Sequence, residues 1–219
     1  MITVILVGED GIVTGMAVRR LREQNKQRTF ASIKQAAKSL FEQKGYEATT
    51  TREIAELAQI GTGTLFLYVK DKAELLILIY TDALKEIIAS VFATLPEDGL
   101  LLDGLMHIFS SFFRFYERDL ANARFFLKEL LFYVSEQNDH RSFDPLNEHF
   151  VTQLAHLIQQ AQERGAINQN INPHLAAHSF YALYFAAVTA WLGNILLSDL
   201  DVLDQLRAAF DLQIKGMLP

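Results

Sequence analysis

The chain has 219 residues, half of them hydrophobic, a formal net charge of −6 and no cysteine. That length holds one large domain, or a small one joined to a larger one, and the missing thiols exclude disulfides, thiolate catalysis and cysteine-ligated zinc. The charge is unevenly spread: residues 19–72 carry eleven Lys/Arg against six Asp/Glu, a net of +5, whereas residues 73–219 carry nine against eighteen, a net of −9. A basic head on an acidic body meets polyanions at one end only.

In chain order, the apolar run Ile2–Val7 is strand-like but leads into no βα unit, and it lacks the basic flank of a secretory signal. Residues 1–18 are therefore expected to be a leader, disordered or peripheral to function. The first helix is predicted over Lys26–Lys44, where Ile33, Ala36, Ala37, Leu40 and Phe41 recur at helical spacing before Gly45. Thr50 with Glu53 forms a capping box that opens a second helix, in which Ile54, Ala55 and Ala58 share a face. Gln59-Ile60-Gly61 breaks the pattern, and Gly61 is placed to cap a short third helix from Thr62 to Leu67. Asp71 with Glu74 is a second box, opening a fourth helix that stops before Pro96 and joins head to body. Two short helices around a tight, Gly-containing turn make a helix-turn-helix, whose second helix enters the DNA major groove.

The body divides by the same punctuation. Helix five is predicted over Gly99–Glu117, and helix six follows Asp119 with Phe125, Phe126, Phe132 and Tyr133. Asp144-Pro145 opens helix seven, which runs to Arg164, and Asn172-Pro173 opens helix eight. Ser198 with Asp201 is expected to start helix nine, striped by Val202, Leu203, Leu206, Phe210 and Ile214. Residues 173–198 contain no Asp, Glu, Lys or Arg, enough length for a membrane span of about 20 residues. The interior His174, His178, Ser179, Thr189 and Asn194 and the acidic flank Asp199/Asp201 favour instead a helix buried in a core or between subunits, with no membrane partner. The fold class is all-α: about nine helices, with a three-helix DNA-binding domain over 19–72 and a helical effector-binding and dimerisation domain over 73–219.

Chemistry-bearing patterns are sparse. His174 and His178 have metal-ligand spacing but no accompanying Glu or third ligand, and His149 and His156 are no better placed. Gly61-Thr62-Gly63 follows no strand, and no GxSxG occurs. An enzyme, a metal site and a cofactor are not expected. The stripe Leu105, Phe109, Phe112 and Tyr116, with Phe113 and Phe126 nearby, reads equally as core packing or as the lining of a ligand cavity, with His107 and Arg114 as the polar residues able to orient a ligand. On helix eight, Ala182, Ala186 and Ala190 form a flat strip; with Leu206, Phe210 and Ile214 of helix nine they predict a four-helix contact in a homodimer.

The spaced set Ile33, Ala36-Ala37, Leu40-Phe41, Gly45-Tyr46, Thr49-Thr50, Ile54-Ala55, Ala58, Gly63-Thr64-Leu65, Tyr68 and Lys72 resembles the TetR family of bacterial transcriptional regulators over about residues 28–75. The resemblance implies a cytoplasmic bacterial DNA-binding homodimer on a pseudo-palindromic operator, a repressor relieved by a small hydrophobic or aromatic effector in the body. The alternatives are a regulator of the same fold that answers to a protein partner or to no ligand, and an all-helical carrier or enzyme, against which the charge segregation argues. The chain departs from the family in the turn, where Gln59-Ile60-Gly61 replaces the usual Gly-Val-Ser, and in Phe66 and Val69, which stand for Tyr and Phe. Thr50, beside Thr51 and Arg52, is placed at a helix N-terminus suited to a phosphate. Gly61, Thr62, Thr64 and Phe66 lie on the candidate recognition helix, the Thr64 methyl or Phe66 suiting a thymine methyl. Tyr68 and Lys72 offer a hydroxyl and a charge to the DNA backbone.

Overall fold

The computed structural model describes residues 9–96, 99–132, 144–195 and 201–219, with side chains from residue 18 onward and, in the third stretch, from residue 145. Nine helices occur among them: α1 Glu9–Lys44, α2 Thr51–Leu57, α3 Thr62–Leu65, α4 Lys72–Ala93, α5 Leu101–Glu117, α6 Leu120–Phe132, α7 Asp144–Glu163, α8 Pro173–Leu192 and α9 Val202–Lys215. They form two compact units dividing between Leu75 and Leu76, so α4 begins in the first and continues in the second.

In the first unit Ile33, Ala36, Ala37 and Phe41 of α1, Ile54 and Ala55 of α2, and Leu65 of α3 are buried together with Ala58 and Val69. Gly45 ends α1 at φ 84°, a left-handed conformation that glycine adopts without strain. The helix does not begin at Lys26 as expected but at Glu9. The apolar period marks only its buried half; once that half is nucleated, each residue added at the N-terminal side gains a hydrogen bond without a new nucleation cost, and no proline interrupts residues 9–44. The Ile2–Val7 run lies outside the described residues.

Three helices end in the same backbone closure, in which the second residue past the cap bonds five residues back and the first bonds within that loop. After α7 the bonds are Ala166 N–H to Ala161 O and Gly165 N–H to Gln162 O, at 2.9 and 2.8 Å. After α8 they are Ile195 to Ala190 and Asn194 to Trp191, at 2.9 and 3.1 Å. After α2 they are Ile60 to Ala55 and Gln59 to Glu56, at 3.0 and 3.1 Å. The left-handed residue is thus Gly165, Asn194 and Gln59 in turn, at φ 73°, 55° and 58°. Glycine takes this conformation freely and asparagine with local help, but glutamine does so under strain. The helix-turn-helix turn therefore carries its strain at Gln59, while Gly61 sits at an ordinary φ of −69° as the N-cap of α3, without a side-chain cap.

In the second unit α8 packs against α7 and α9, and α5 packs against α6, α7 and α9. Asn172 caps α8 by accepting the Leu175 N–H at 3.1 Å, with Pro173 in the first turn. α9 is capped by Asp201, which accepts the Leu203 N–H at 2.8 Å. The expected Ser198–Asp201 box is thus displaced: the acidic residue itself is the cap, and Ser198 lies outside the described residues. α5 starts two residues later than expected, at Leu101, and Tyr133 is likewise outside the described residues. Among the described residues α8 alone is long and apolar enough to cross a membrane. Its Ala177, Phe180 and Tyr184 are buried against the same subunit. Leu206 and Phe210 are also enclosed within the subunit, Phe210 between Phe109 and Phe180 at ring distances of 5.3 Å. They support α9 from inside and offer no surface to a second copy, a correction to the sequence reading, which gave them to the dimer contact.

Replacing Gln59 by glycine should relieve the left-handed strain. Urea unfolding of Gln59→Gly is expected to show the first unit more stable by about 1 kcal/mol; unchanged or lower stability would mean that the turn is held without strain.

Candidate functional site

The exposed edge of the helix-turn-helix consists of Gly61, Thr62, Gly63, Phe66 and Leu67, with Leu65 turned wholly inward. Thr64 and Tyr68 are half-buried, and the Tyr68 ring stacks on Phe30 of α1 with centroids 6.1 Å apart. These residues can present methyls, rings and one phenol to a groove, and of the sequence candidates on this edge Gly61, Thr62 and Phe66 are exposed. Leu67, 78% exposed, was missed. The signal was present: with Leu65 as the inward residue, helical period turns positions 66 and 67 outward.

Thr50 is more occupied than the sequence suggests. Its N–H and its hydroxyl both donate to Glu53 Oε2, at 2.9 and 2.8 Å, and the hydroxyl accepts the Glu53 N–H at 3.3 Å. Lys44 Nζ donates to the other carboxylate oxygen at 2.6 Å. The Lys44 ammonium first, then the Thr50 hydroxyl and N–H, lower the Glu53 pKa to about 2. The anion at the start of α2 is thus the protein's own carboxylate. Arg52 is extended and pairs only with Glu56, at 2.9 Å and with both side chains largely exposed. Such a pair contributes little, so Arg52 can exchange it for a phosphate at small cost. Thr51 is half-buried beside it.

Lys72 is the clearest correction. Its ammonium donates to the carbonyls of Tyr46, Glu47 and Thr49, at 2.7, 3.3 and 2.8 Å, and lies 4.3 Å from the centroid of the Tyr46 ring. An ammonium has three protons, and this loop provides three acceptors. Lys72 therefore ties the α1–α2 loop to the start of α4 instead of standing ready for a phosphate. Next to it, Asp71 caps α4 by accepting the Glu74 N–H at 2.9 Å, while the Glu74 carboxylate reaches back to the Lys70 N–H at 2.6 Å, one residue short of the cap expected from the box.

In the second unit two small voids lie either side of a tyrosine cluster. The first, about 40 Å³, is lined by Leu84 and Ile88 of α4, Phe112 and Tyr116 of α5, Phe150 of α7, and Tyr181 and Tyr184 of α8 among others. The second, about 30 Å³, shares Tyr116, Tyr181 and Tyr184 and adds Phe126, Leu127 and Val188. The Tyr116 and Tyr184 hydroxyls hydrogen-bond to each other, and burial pushes both pKa values well up. Burial also pushes Tyr181 up to about 12. All three therefore remain neutral at ordinary pH.

Of the aromatic candidates, Phe112, Tyr116 and Phe126 line these voids. Phe109 and Phe113 do not: Phe109 is packed among Phe112, Phe150, Tyr184 and Phe210, and Phe113 lies against Tyr184 and Trp191. Arg114 bonds to Ser110 and Ser111 on its own helix, away from the voids. His107 lines a separate open cleft of about 780 Å³, with Thr94, Asp103, Gln153, His156 and Arg164; its Nε2 lies 2.9 Å from the Thr94 hydroxyl. The ring contact between Phe92 and Phe150, 5.9 Å between centroids, stands between cleft and first void, since Phe92 lines the one and Phe150 the other. On α8, Ala182 and Ala186 are exposed and Ala190 is half-buried; on α9, Ile214 is half-buried.

Residues 33–79 match the model of the family described as bacterial regulatory proteins, tetR family. The uncharacterized HTH-type transcriptional regulator YhgD of Bacillus subtilis is 46% identical over 54 residues, a match spanning 25% of this chain and only 28% of that protein. The fatty acid metabolism regulator protein of Bacillus subtilis is 21% identical over 89% of this chain and 98% of its own length. Among solved structures, Thermus thermophilus FadR, a TetR-family transcriptional repressor in complex with lauroyl-CoA, superposes with a TM-score of 0.69 at 23% identity, covering 87% of this chain and 95% of that one. Bacillus subtilis FadR in complex with stearoyl-CoA gives 0.65 at 20% identity, covering 86% and 99%.

The Lys72 geometry has a direct test. Lys72→Ala should lower the stability of the first unit by about 2–3 kcal/mol, the loss of charge-assisted bonds, and leave the salt dependence of DNA binding by the folded protein unchanged. A flatter salt slope at full stability would return Lys72 to the DNA backbone.

Proposed function

Because this chain belongs to the tetR family of bacterial regulatory proteins, transcriptional regulators and not enzymes, we propose that it is a cytoplasmic, homodimeric repressor that releases its operator when an acyl thioester enters the helical body. The DNA-binding surface is the exposed edge of α3 with Thr62, Thr64, Phe66 and Leu67, flanked by Thr51, Arg52 and Tyr68. The observation that carries the effector half is the pair of apolar voids divided by Tyr116, Tyr181 and Tyr184. Solved relatives of similar fold hold lauroyl-CoA and stearoyl-CoA. At about 40 and 30 Å³ each void has room for about two or three waters, so an acyl chain enters only by parting the tyrosines. The open cleft past Phe92, with His107 and His156, suits the polar remainder of such a molecule.

That requirement supplies the switch. A ligand shifts an equilibrium only through its differential affinity for two states, and a site closed in one state and open in the other provides the difference. Leu84 and Ile88, on the wall of the first void, belong to α4, whose first residue is Lys72. For the dimer, the exposed Ala182 and Ala186 of α8 are the close-approach surface, and the exposed Leu212 of α9 takes the part first given to Leu206 and Phe210.

Two experiments test the parts separately. In an electrophoretic shift with DNA from upstream of its own gene, lauroyl-CoA should release the protein and coenzyme A alone should not. Ile88→Phe, which fills the first void, should keep DNA binding but raise the half-releasing concentration tenfold or more, about 1.4 kcal/mol; release at the same concentration would put the acyl chain elsewhere. Ala186→Glu should appear monomeric by light scattering and lose operator affinity with its helix-turn-helix intact; a dimer of normal affinity would move the interface off α8.

A further inference from the structure

The N-terminal part of α1 has no structural employment in the described chain. Residues 18–28 are all exposed, and burial begins only further along, with Phe30 half-buried and Ile33 fully enclosed. Within that stretch stand Arg19, Arg20, Arg22, Lys26 and Arg28 against a single acid, Glu23. None of the five makes an ion pair or hydrogen bond among the described residues. A helix can neutralise its own charge with an acid at i+4, as Arg52 does with Glu56; here Glu23 stands at that spacing from Arg19 but makes no ion pair with it among the described residues, and the other four cations have no acid at i+4.

The arrangement of the cations is directional. Arg19, Arg22, Lys26, Phe30, Ile33 and Ala37 follow one another at intervals of three or four, so they lie on one stripe of α1. The C-terminal half of that stripe is the packing face: Ile33 and Ala37 are buried, and Phe30 stacks on Tyr68, three residues past the end of α3. The N-terminal half continues on the same side with cations in place of apolar groups. It leaves the unit beside the recognition helix, on the face that carries that helix. At about 1.5 Å per residue, Arg19 to Lys26 covers about 10 Å, the length of about three phosphate steps along one DNA strand.

We infer that the free N-terminal segment of α1 is a second DNA contact, in which Arg19, Arg22 and Lys26 bind backbone phosphates next to the groove occupied by α3. This rests on the DNA-binding reading above. The contact carries no sequence information; it adds affinity and salt dependence to whatever α3 specifies. Arg28, half a turn of the wheel away from the stripe, lies outside it and serves as an internal comparison.

The test uses the full chain and fluorescence anisotropy with two duplexes, one of arbitrary sequence and one from upstream of its own gene, over a range of NaCl concentrations. Arg19→Gln/Arg22→Gln/Lys26→Gln keeps helix-forming residues in place, and circular dichroism checks that helicity is retained. The expected result is a flattening of the slope of log K against log salt by about 2–3 units per subunit, with affinity falling on both duplexes alike. Arg28→Gln should leave the slope within a fraction of a unit of wild type. A triple variant with the wild-type slope overturns the inference while the DNA-binding reading stands, and an Arg28→Gln effect of one unit overturns the assignment to one face. A wild-type protein that binds neither duplex overturns the DNA-binding reading as well.

Discussion

The geometry of the helix-turn-helix depends on one ammonium group. Lys72 closes three backbone carbonyls between α1 and α2 onto the first residue of α4, with the Tyr46 ring beside it. Within the loop the Tyr46 carbonyl also accepts the Thr49 N–H at 3.2 Å, and the one cation bonds to all three carbonyls at once. The donor is the first residue of α4, whose opening turn up to Leu75 belongs to the first unit, so the loop is tied to the start of that helix.

The body poses the complementary problem. Its aromatic side chains are packed at ring distances of about 4.4–6.5 Å, and the described residues that line both voids are three tyrosines, two of them bonded to each other. The Tyr116 and Tyr184 hydroxyls satisfy each other, and the packing around them leaves little empty volume. On the effector reading proposed above, an apolar chain reaching both voids would have to separate that bond.

Much of this was legible in the sequence where the signal is local. Thr50 and Glu53, Asn172-Pro173, Gly45 and Gly165 announce helix ends because caps are decided by a few neighbouring residues. The misreadings are of another kind. Lys72 meets its carbonyls more than twenty positions away, which spacing along one helix cannot show. Phe109 and Phe112 belong to one stripe, yet one is sealed among rings and the other lines a void, a distinction made by α7, α8 and α9. Leu206 and Phe210 read as an interface because they are apolar and periodic, properties shared by a core face. The free half of α1 was overlooked because apolar periodicity locates burial, and a helix can outrun its burial.

Charge partition connects the two halves of the chain more simply than any contact. An acidic body with a net charge of −9 repels a polyanion, so each favourable ionic contact with DNA must come from the head, which has a net charge of only +5. Two of the head's cations are already spent inside it, Lys44 on Glu53 and Lys72 on backbone carbonyls, while Arg52 is held only by an exposed pair with Glu56. The exposed cations of α1 remain, and Arg19, Arg22 and Lys26 stand as neighbours three and four apart on one stripe of the helix, where like charges repel one another. A phosphate backbone, itself a row of regularly spaced negative charges, relieves that repulsion by engaging several of them together.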